Sequence, residues 1–216
     1  MDNSLCPQYH FRVLTCEPMG ERLQTRRSVS RFLVAIIVLF LGSVPLISQS
    51  LQSFAIDLEG KPTDPFRAAP GKVVVLIFVR TDCPISNRYA PTIQQLSAQN
   101  KDKATFFLVY PSKKETADSI RKHDREFGYT FASLRDPQHI LVKQSQAQIT
   151  PEAAVFDPNR RLVYHGRIDN LYEDFGHARK SATTHELADA IEAAIAGRTP
   201  SGNATPAVGC YISDLE

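Results

Sequence analysis

Val73–Ser86, VVVLIFVRTDCPIS, is the stretch on which the rest of the chain depends. Six apolar residues in a row, Val73 to Phe78, predict a short strand buried on both faces. A polar turn follows, holding a single cysteine, Cys83, and a helical pattern begins just past it. A cysteine at a strand-to-helix turn lies where backbone N–H groups and the helix dipole favour the thiolate. The plain alternative is a small buried hydrophobe.

Working outward, Tyr89, Ile93 and Leu96 repeat at helical spacing, with Pro91 placed to kink that helix. Residues 104–110, ATFFLVY, read as a second buried strand. Residues 114–127 read as a helix with Ala117, Ile120 and Phe127 inward, and Arg121 to Glu126, His123 included, as a solvated face. Phe131–Leu134 reads as a short extended piece, and Asp136-Pro137 opens a short helix through Ile140, Leu141 and Val142. Ile149-Thr150-Pro151 leads into a strand that Asp157-Pro158-Asn159-Arg160 turns back through Leu162–His165, a hairpin. Arg167 and Asp169 read as a surface ion pair. Thr183 with Glu186 fits a capping box that opens a last helix, its inward face Leu187, Ala190, Ile191, Ala194 and Ile195. Before the main strand, alternation through Phe54, Ile56 and Leu58 predicts one short strand. The element order is that of an α/β domain with parallel and antiparallel pairs.

The bulk numbers fit one such domain. Of 216 residues 43% are apolar and the formal charge is +2, so no concentrated basic patch marks a nucleic-acid binder. The four cysteines, Cys6, Cys16, Cys83 and Cys210, match neither a zinc pattern nor a dense disulfide scaffold, and no cofactor or metal is expected. At the other end of the chain, Arg22, Arg26, Arg27 and Arg31 precede an apolar run from Phe32 that weakens toward Ile47 and ends in Ser48-Gln49-Ser50. A basic flank, an apolar run of about 16 residues and then small polar residues is the order of an export signal, and the run is short of the ~20 residues of a spanning helix. The expected segments are a basic stretch 1–31 (with Met19 a second candidate start), a signal or anchor 32–50, a domain 51–199 and a tail 200–216. The expected location is periplasmic or otherwise extracytoplasmic, with residues 32–47 either cleaved off or kept as a membrane anchor. In either topology Cys6 and Cys16 cannot partner Cys83.

Three places carry a resemblance to a known family: Val73–Ser86, Ile149-Thr150-Pro151, and the hairpin Ala153–His165. Together they resemble the thioredoxin-like superfamily in its redoxin branch, that of alkyl hydroperoxide reductase and thiol-specific antioxidant proteins. The resemblance implies a thioredoxin-like α/β fold, a central mixed β-sheet flanked by helices. It implies that Cys83 is the nucleophile of a thiol-disulfide oxidoreductase, and that Pro151 is cis and faces the sulfur. Thr150 and Pro151 would then shape an extended substrate edge, and Thr81, Asp82, Pro84 and Ser86 would line the substrate. The partners implied are a protein or small-molecule disulfide and an external thiol reductant. Arg80 and Arg88 are near enough in sequence to lower the thiol pKa, and Asp82 to raise it.

The chain also departs from the family. Cys83-Pro84-Ile85-Ser86 places a serine where thioredoxins carry the second cysteine, so Cys83 has no local thiol to release it from a mixed disulfide. A peroxiredoxin-type peroxidase, the first alternative, carries a threonine where Arg80 stands and an arginine by the sulfur, for which Arg135 is a distant candidate. A copper carrier or scaffold on the same fold, the second alternative, carries a cysteine where Asn87 stands. That leaves Cys210, in the apolar patch Gly209-Cys210-Tyr211-Ile212 of a polar tail, as a candidate resolving thiol; a tail cysteine without a partner is the other reading.

Overall fold

The computed structural model describes residues 55–202 and 204–213. The basic stretch 1–31 and the signal or anchor segment 32–50, with Cys6 and Cys16, lie outside the described residues. In chain order the elements are β1 (Ala55–Ile56), β2 (Pro62–Thr63), α1 (Pro65–Ala68), β3 (Val73–Phe78), α2 (Pro84–Arg88), α3 (Ala90–Asn100), β4 (Ala104–Tyr110) and α4 (Ala117–Phe127). There follow β5 (Ser133–Arg135), α5 (Ile140–Ser145), β6 (Ile149–Thr150), β7 (Glu152–Phe156), β8 (Leu162–Gly166), β9 (Tyr172–Asp174), β10 (His177–Ala178), α6 (Glu186–Ile195), β11 (Ala204–Thr205) and β12 (Cys210–Tyr211).

The predicted strand Val73–Phe78 is the centre of an eight-stranded sheet ordered β11-β8-β7-β3-β4-β5-β1-β2. It pairs in parallel with β4 and antiparallel with β7. Flanked on both edges and covered on both faces, it has no position for a polar side chain, which is why its sequence is an unbroken apolar run. Alternate residues point to opposite faces. Val73, Val75 and Ile77 pack with Ile85, Ile93, Leu187 and Ile191, under α2, α3 and α6. Val74, Leu76 and Phe78 pack with Phe66, Phe107, Leu134 and Leu141, under α1 and α5. Leu76 is fully buried in the second layer. Leu76→Ala is expected to cost about 2–5 kcal/mol of stability, the range for a truncated core leucine, measured as a lowered urea midpoint at unchanged m-value.

The helix expected to kink is two helices. Tyr89 breaks the run with φ −81° and ψ −6°, and α3 starts at Ala90, so that Pro91 occupies the first turn, where no N–H is needed. The hairpin forms as expected from β7 and β8. The capping box does not form where expected. His185 is the residue before α6, and the Thr183 hydroxyl instead accepts from Asn170 Nδ2 at 2.7 Å. A capping box does open α4, between Thr116 and Ser119. The tail is part of the sheet system: β11 extends the large sheet beside β8, and β12 pairs with β6.

Candidate active site

The turn after β3 is fixed by its own backbone. Val79 N still donates to Val109 O at 3.0 Å, continuing the ladder, and Cys83 N donates to Arg80 O at 3.3 Å. Cys83 is extended, with φ −90° and ψ 110°, as the residue that opens α2. Pro84 takes the first helical position, and Asn87 N donates to Cys83 O at 3.1 Å. Two contacts hold the loop from outside and one within it: Asn87 Nδ2 donates to Thr81 O at 3.2 Å, Thr81 N donates to Glu115 Oε1 at 2.6 Å, and Arg80 pairs with Asp82 across the loop at 2.8 Å.

Facing the sulfur is β6, which ends in a cis Thr150–Pro151 bond. Cys83 Sγ donates to Thr150 O at 3.1 Å. The chain's own tail covers the same residue. In the antiparallel pair of β12 and β6, Cys210 stands opposite Thr150 and Tyr211 opposite Ile149. Thr150 Oγ1 donates to Cys210 O at 3.2 Å, and Ile212 N donates to Gln148 O at 2.9 Å. Ile212 is buried in the second core layer while Tyr211 points outward. Two cysteines 127 positions apart in sequence therefore converge on one backbone residue. Cys83 is 0% exposed, whereas Cys210 is only partly buried.

Each of the two thiols shifts the other's ionisation. Burial alone pushes Cys83 up, but hydrogen bonds from Ser86 and from Cys210 to the thiolate together outweigh it and hold Cys83 below the ordinary thiol range. Ser86 Oγ is buried with no other partner among the described residues, which leaves it free for the thiolate. Burial, then the hydrogen bond to Cys83 and its charge, push Cys210 up to about 11. Of the two thiols, Cys83 is the one that ionises first. The lowering does not come from the arginines expected to tune Cys83: Arg80 is engaged by Asp82, and the leading causes are side-chain and backbone hydrogen bonds of Ser86 and Cys210.

A family model described as Redoxin matches residues 46–180, more than half of the chain. The chain belongs to the redoxin family. No curated protein is similar enough to match it. Among solved structures, a hypothetical protein from Sinorhizobium meliloti 1021 superposes with a TM-score of 0.62 at 22% identity, covering 74% of this chain and 88% of that one. An uncharacterised conserved protein from Geobacillus kaustophilus does so with a TM-score of 0.62 at 19% identity, covering 74% and 86%. These likenesses support the thioredoxin-like α/β fold, and redoxin membership carries a thioredoxin-fold redox function.

Cys83, Pro84, Ser86, Thr150 and Pro151, all within the matched residues, come together with Cys210 of the tail beyond them, and Thr81 and Asp82 form the adjoining turn. Arg135 lies elsewhere, on β5, where it lines a cavity of about 260 Å³ with Ala55, Pro62 and Pro137. His123 is not on a solvated face. It is 4% exposed; its Nδ1 bonds Tyr110 Oη at 2.9 Å and its Nε2 bonds Asn87 Oδ1 at 2.8 Å, and burial lowers its pKa. Asp169 is not in a surface pair with Arg167 either. It is buried and accepts from Tyr89 Oη at 2.6 Å, and Arg167 pairs with Glu186. Among the described residues no group of three His, Cys, Asp or Glu side chains is gathered for a metal ion.

The sequence pattern assigned no role to Glu115 or Glu152, and Gly209 only a place in the apolar patch. Glu152 follows Pro151 at the head of an apolar strand, a position that only a buried role explains, and its Oε2 accepts from Gln148 N and Ile149 N at 2.8 and 3.1 Å, fixing the loop that carries Thr150. Glu115 gave no sequence signal. Its Oε2 is buried without a partner among the described residues, and burial pushes its carboxyl up, against the Thr81 hydrogen bonds that lower it. A carboxyl whose folded pKa exceeds its unfolded value penalises the folded state once both are ionised, and the penalty vanishes below the unfolded value. Glu115→Gln keeps an oxygen for Thr81 N–H and removes the charge. The variant is therefore expected to show a higher urea midpoint than the parent at pH 7–8, the gap closing as the pH falls toward 4.5, the carboxyl's ordinary value. A constant destabilisation at every pH would contradict this.

Proposed function

We propose that the chain is an exported thiol-disulfide oxidoreductase of the antioxidant redoxin type, with Cys83 as nucleophile and Cys210 as resolving thiol. The observation that carries the reading is the convergence of both cysteines on Thr150. The Cys83 thiolate attacks one sulfur of a substrate disulfide. That S–S bond breaks, the far sulfur leaves as a thiolate, and a Cys83–substrate disulfide forms. Cys210 then attacks Cys83 Sγ, expels the substrate's second thiolate and closes a Cys83–Cys210 disulfide, which two equivalents of an external thiol reduce. The high pKa of Cys210 suits this order. Part of the rise comes from the Cys83 hydrogen bond and charge, and both disappear once Cys83 is held in a mixed disulfide. Thr150 and Pro151 shape the edge beside the sulfur, while Thr81, Asp82 and Pro84 form its rim; Ser86, expected to line the substrate, is 1% exposed and serves the thiolate instead.

Peroxide reduction by the same sulfur is the weaker reading. Peroxide chemistry would want a cation at the thiolate, and Arg80 is paired with Asp82. Export rests on the basic and apolar order of residues 1–50, with the domain taken as 51–199 and the tail as 200–216; among the described residues no helix is long and apolar enough to cross a membrane. The test is parent, Cys83→Ser and Cys210→Ser proteins assayed side by side for reduction of a small aromatic disulfide and for consumption of hydrogen peroxide. The reading expects disulfide reduction that depends on Cys83. Activity unchanged in Cys83→Ser overturns it, and low-micromolar peroxide consumed faster than disulfide moves the assignment to the peroxidase.

A further inference from the structure

The edge of β6 is a short extended segment whose backbone groups are the ones a partner strand would pair with. In this structure that edge is occupied. Three consecutive tail residues lie along it: Cys210 opposite Thr150, Tyr211 opposite Ile149, and Ile212 with its N–H on Gln148 O. Beneath them the sulfur of Cys83 has no exposed surface. The tail is fastened at both ends of the crossing. Upstream, Thr205 sits in β11, its hydroxyl within 2.7 Å of Tyr164 Oη. Downstream, Ile212 is 5% exposed in the core.

The crossing itself depends on Gly209. A Cβ at that position would stand 2.0 Å from Thr150 O and 2.9 Å from Ile149 Cγ2, the first of these a backbone atom that cannot swing aside. Any other residue there would push the strand off the edge.

We propose that β12 is a built-in partner strand which withholds the Thr150 edge from extended polypeptides, so that the external substrates are disulfides of low molecular weight, and that Gly209 is the residue that sets this specificity. The proposal rests on Cys83 being the nucleophile. A polypeptide disulfide needs the edge to align its chain over the sulfur, so β12 must be displaced along its whole length. A small disulfide needs only local parting of the strand above Cys83. Gly209 touches no substrate in this account; it acts by positioning the strand.

Gly209→Ala tests it, with insulin and a small aromatic disulfide as the two substrates and dithiothreitol as the reductant. The parent is expected to reduce the aromatic disulfide and to be poor on insulin. Because displacing β12 also moves Cys210, the rate read is that of the first half-reaction, the consumption of Cys83 thiol in pre-reduced protein; in Gly209→Ala it is expected to rise about tenfold with insulin and to change by less than about threefold with the aromatic disulfide, because only the polypeptide reaction scales with the fraction of fully open protein. Equal gains on both substrates, or a parent that already prefers insulin, overturn the proposal. Ile212→Ser loosens the same strand from its other end and is expected to give the same split, which covers a Gly209→Ala protein that does not fold. A readout free of turnover separates this proposal from the assignment of the nucleophile: peptide-resolved alkylation of reduced protein by a bulky maleimide. Cys83 labelling about tenfold faster in the variants than in the parent supports the covering strand even if no variant turns over. Equal labelling in all three proteins sinks it even if Cys83 is the nucleophile.

Discussion

Replacing Cys83 by serine is expected to reduce disulfide reduction by about a thousandfold or more, with little change in stability. The loss is chemical. A serine hydroxyl does not ionise in the range where Cys83, helped by Ser86 and Cys210, does. The fold should survive because the position asks for a small side chain at the start of α2, where Cys83 contributes its backbone carbonyl to Asn87 N. A serine hydroxyl can also donate to Thr150 O, the group the thiol now meets at 3.1 Å. Circular dichroism and the urea midpoint check the fold, and the rate with a small disulfide checks the chemistry. A variant that keeps the parent's rate would remove Cys83 from the mechanism.

Cys210→Ser should show a different defect. The first half-reaction, attack by Cys83, is retained, slowed only by the loss of the hydrogen bond that Cys210 gives the thiolate. The second half-reaction is lost. With Ser86 in the turn there is no other thiol among the described residues to attack the mixed disulfide, since Cys83 and Cys210 are the two cysteines described. Release then waits on the external thiol. An intramolecular thiol held opposite Thr150 has a proximity advantage, so steady-state turnover at millimolar reductant is expected to fall on the order of a hundredfold. The trapped species should be visible by mass as protein plus one substrate half. A Cys210→Ser protein with parent turnover and no trapped adduct would show that an external thiol resolves Cys83 directly.

The parts of this fold that the sequence made legible are those set by local pattern. The β3 run is apolar on every residue, and β4 on all but Thr105 near its start, because neighbours cover both faces and both edges. Pro91 marked the break between α2 and α3, and Thr150-Pro151 marked the segment that faces the sulfur. Burial of polar residues was harder to read. Ile120, His123 and Phe127 recur at helical spacing on one face of α4, yet the surrounding charges Arg121, Lys122, Asp124, Arg125 and Glu126 masked a histidine whose partners, Tyr110 and Asn87, come from other elements. Asp169 looked like a surface residue because its partner, Tyr89, is 80 positions away. The apolar GCYI patch announced that the tail packs back. Its register on β6 was not legible, because that depends on a glycine meeting one distant carbonyl.

The central claim is that Cys83 and Cys210 work as one redox pair across Thr150. Its most direct test is mild oxidation of the reduced protein with a small disulfide, followed by alkylation, digestion without reduction and mass spectrometry. The account predicts a peptide pair joined through Cys83 and Cys210, which disappears on reduction and is absent from either serine variant. Recovery of both cysteines as free, alkylated thiols after oxidation would contradict it.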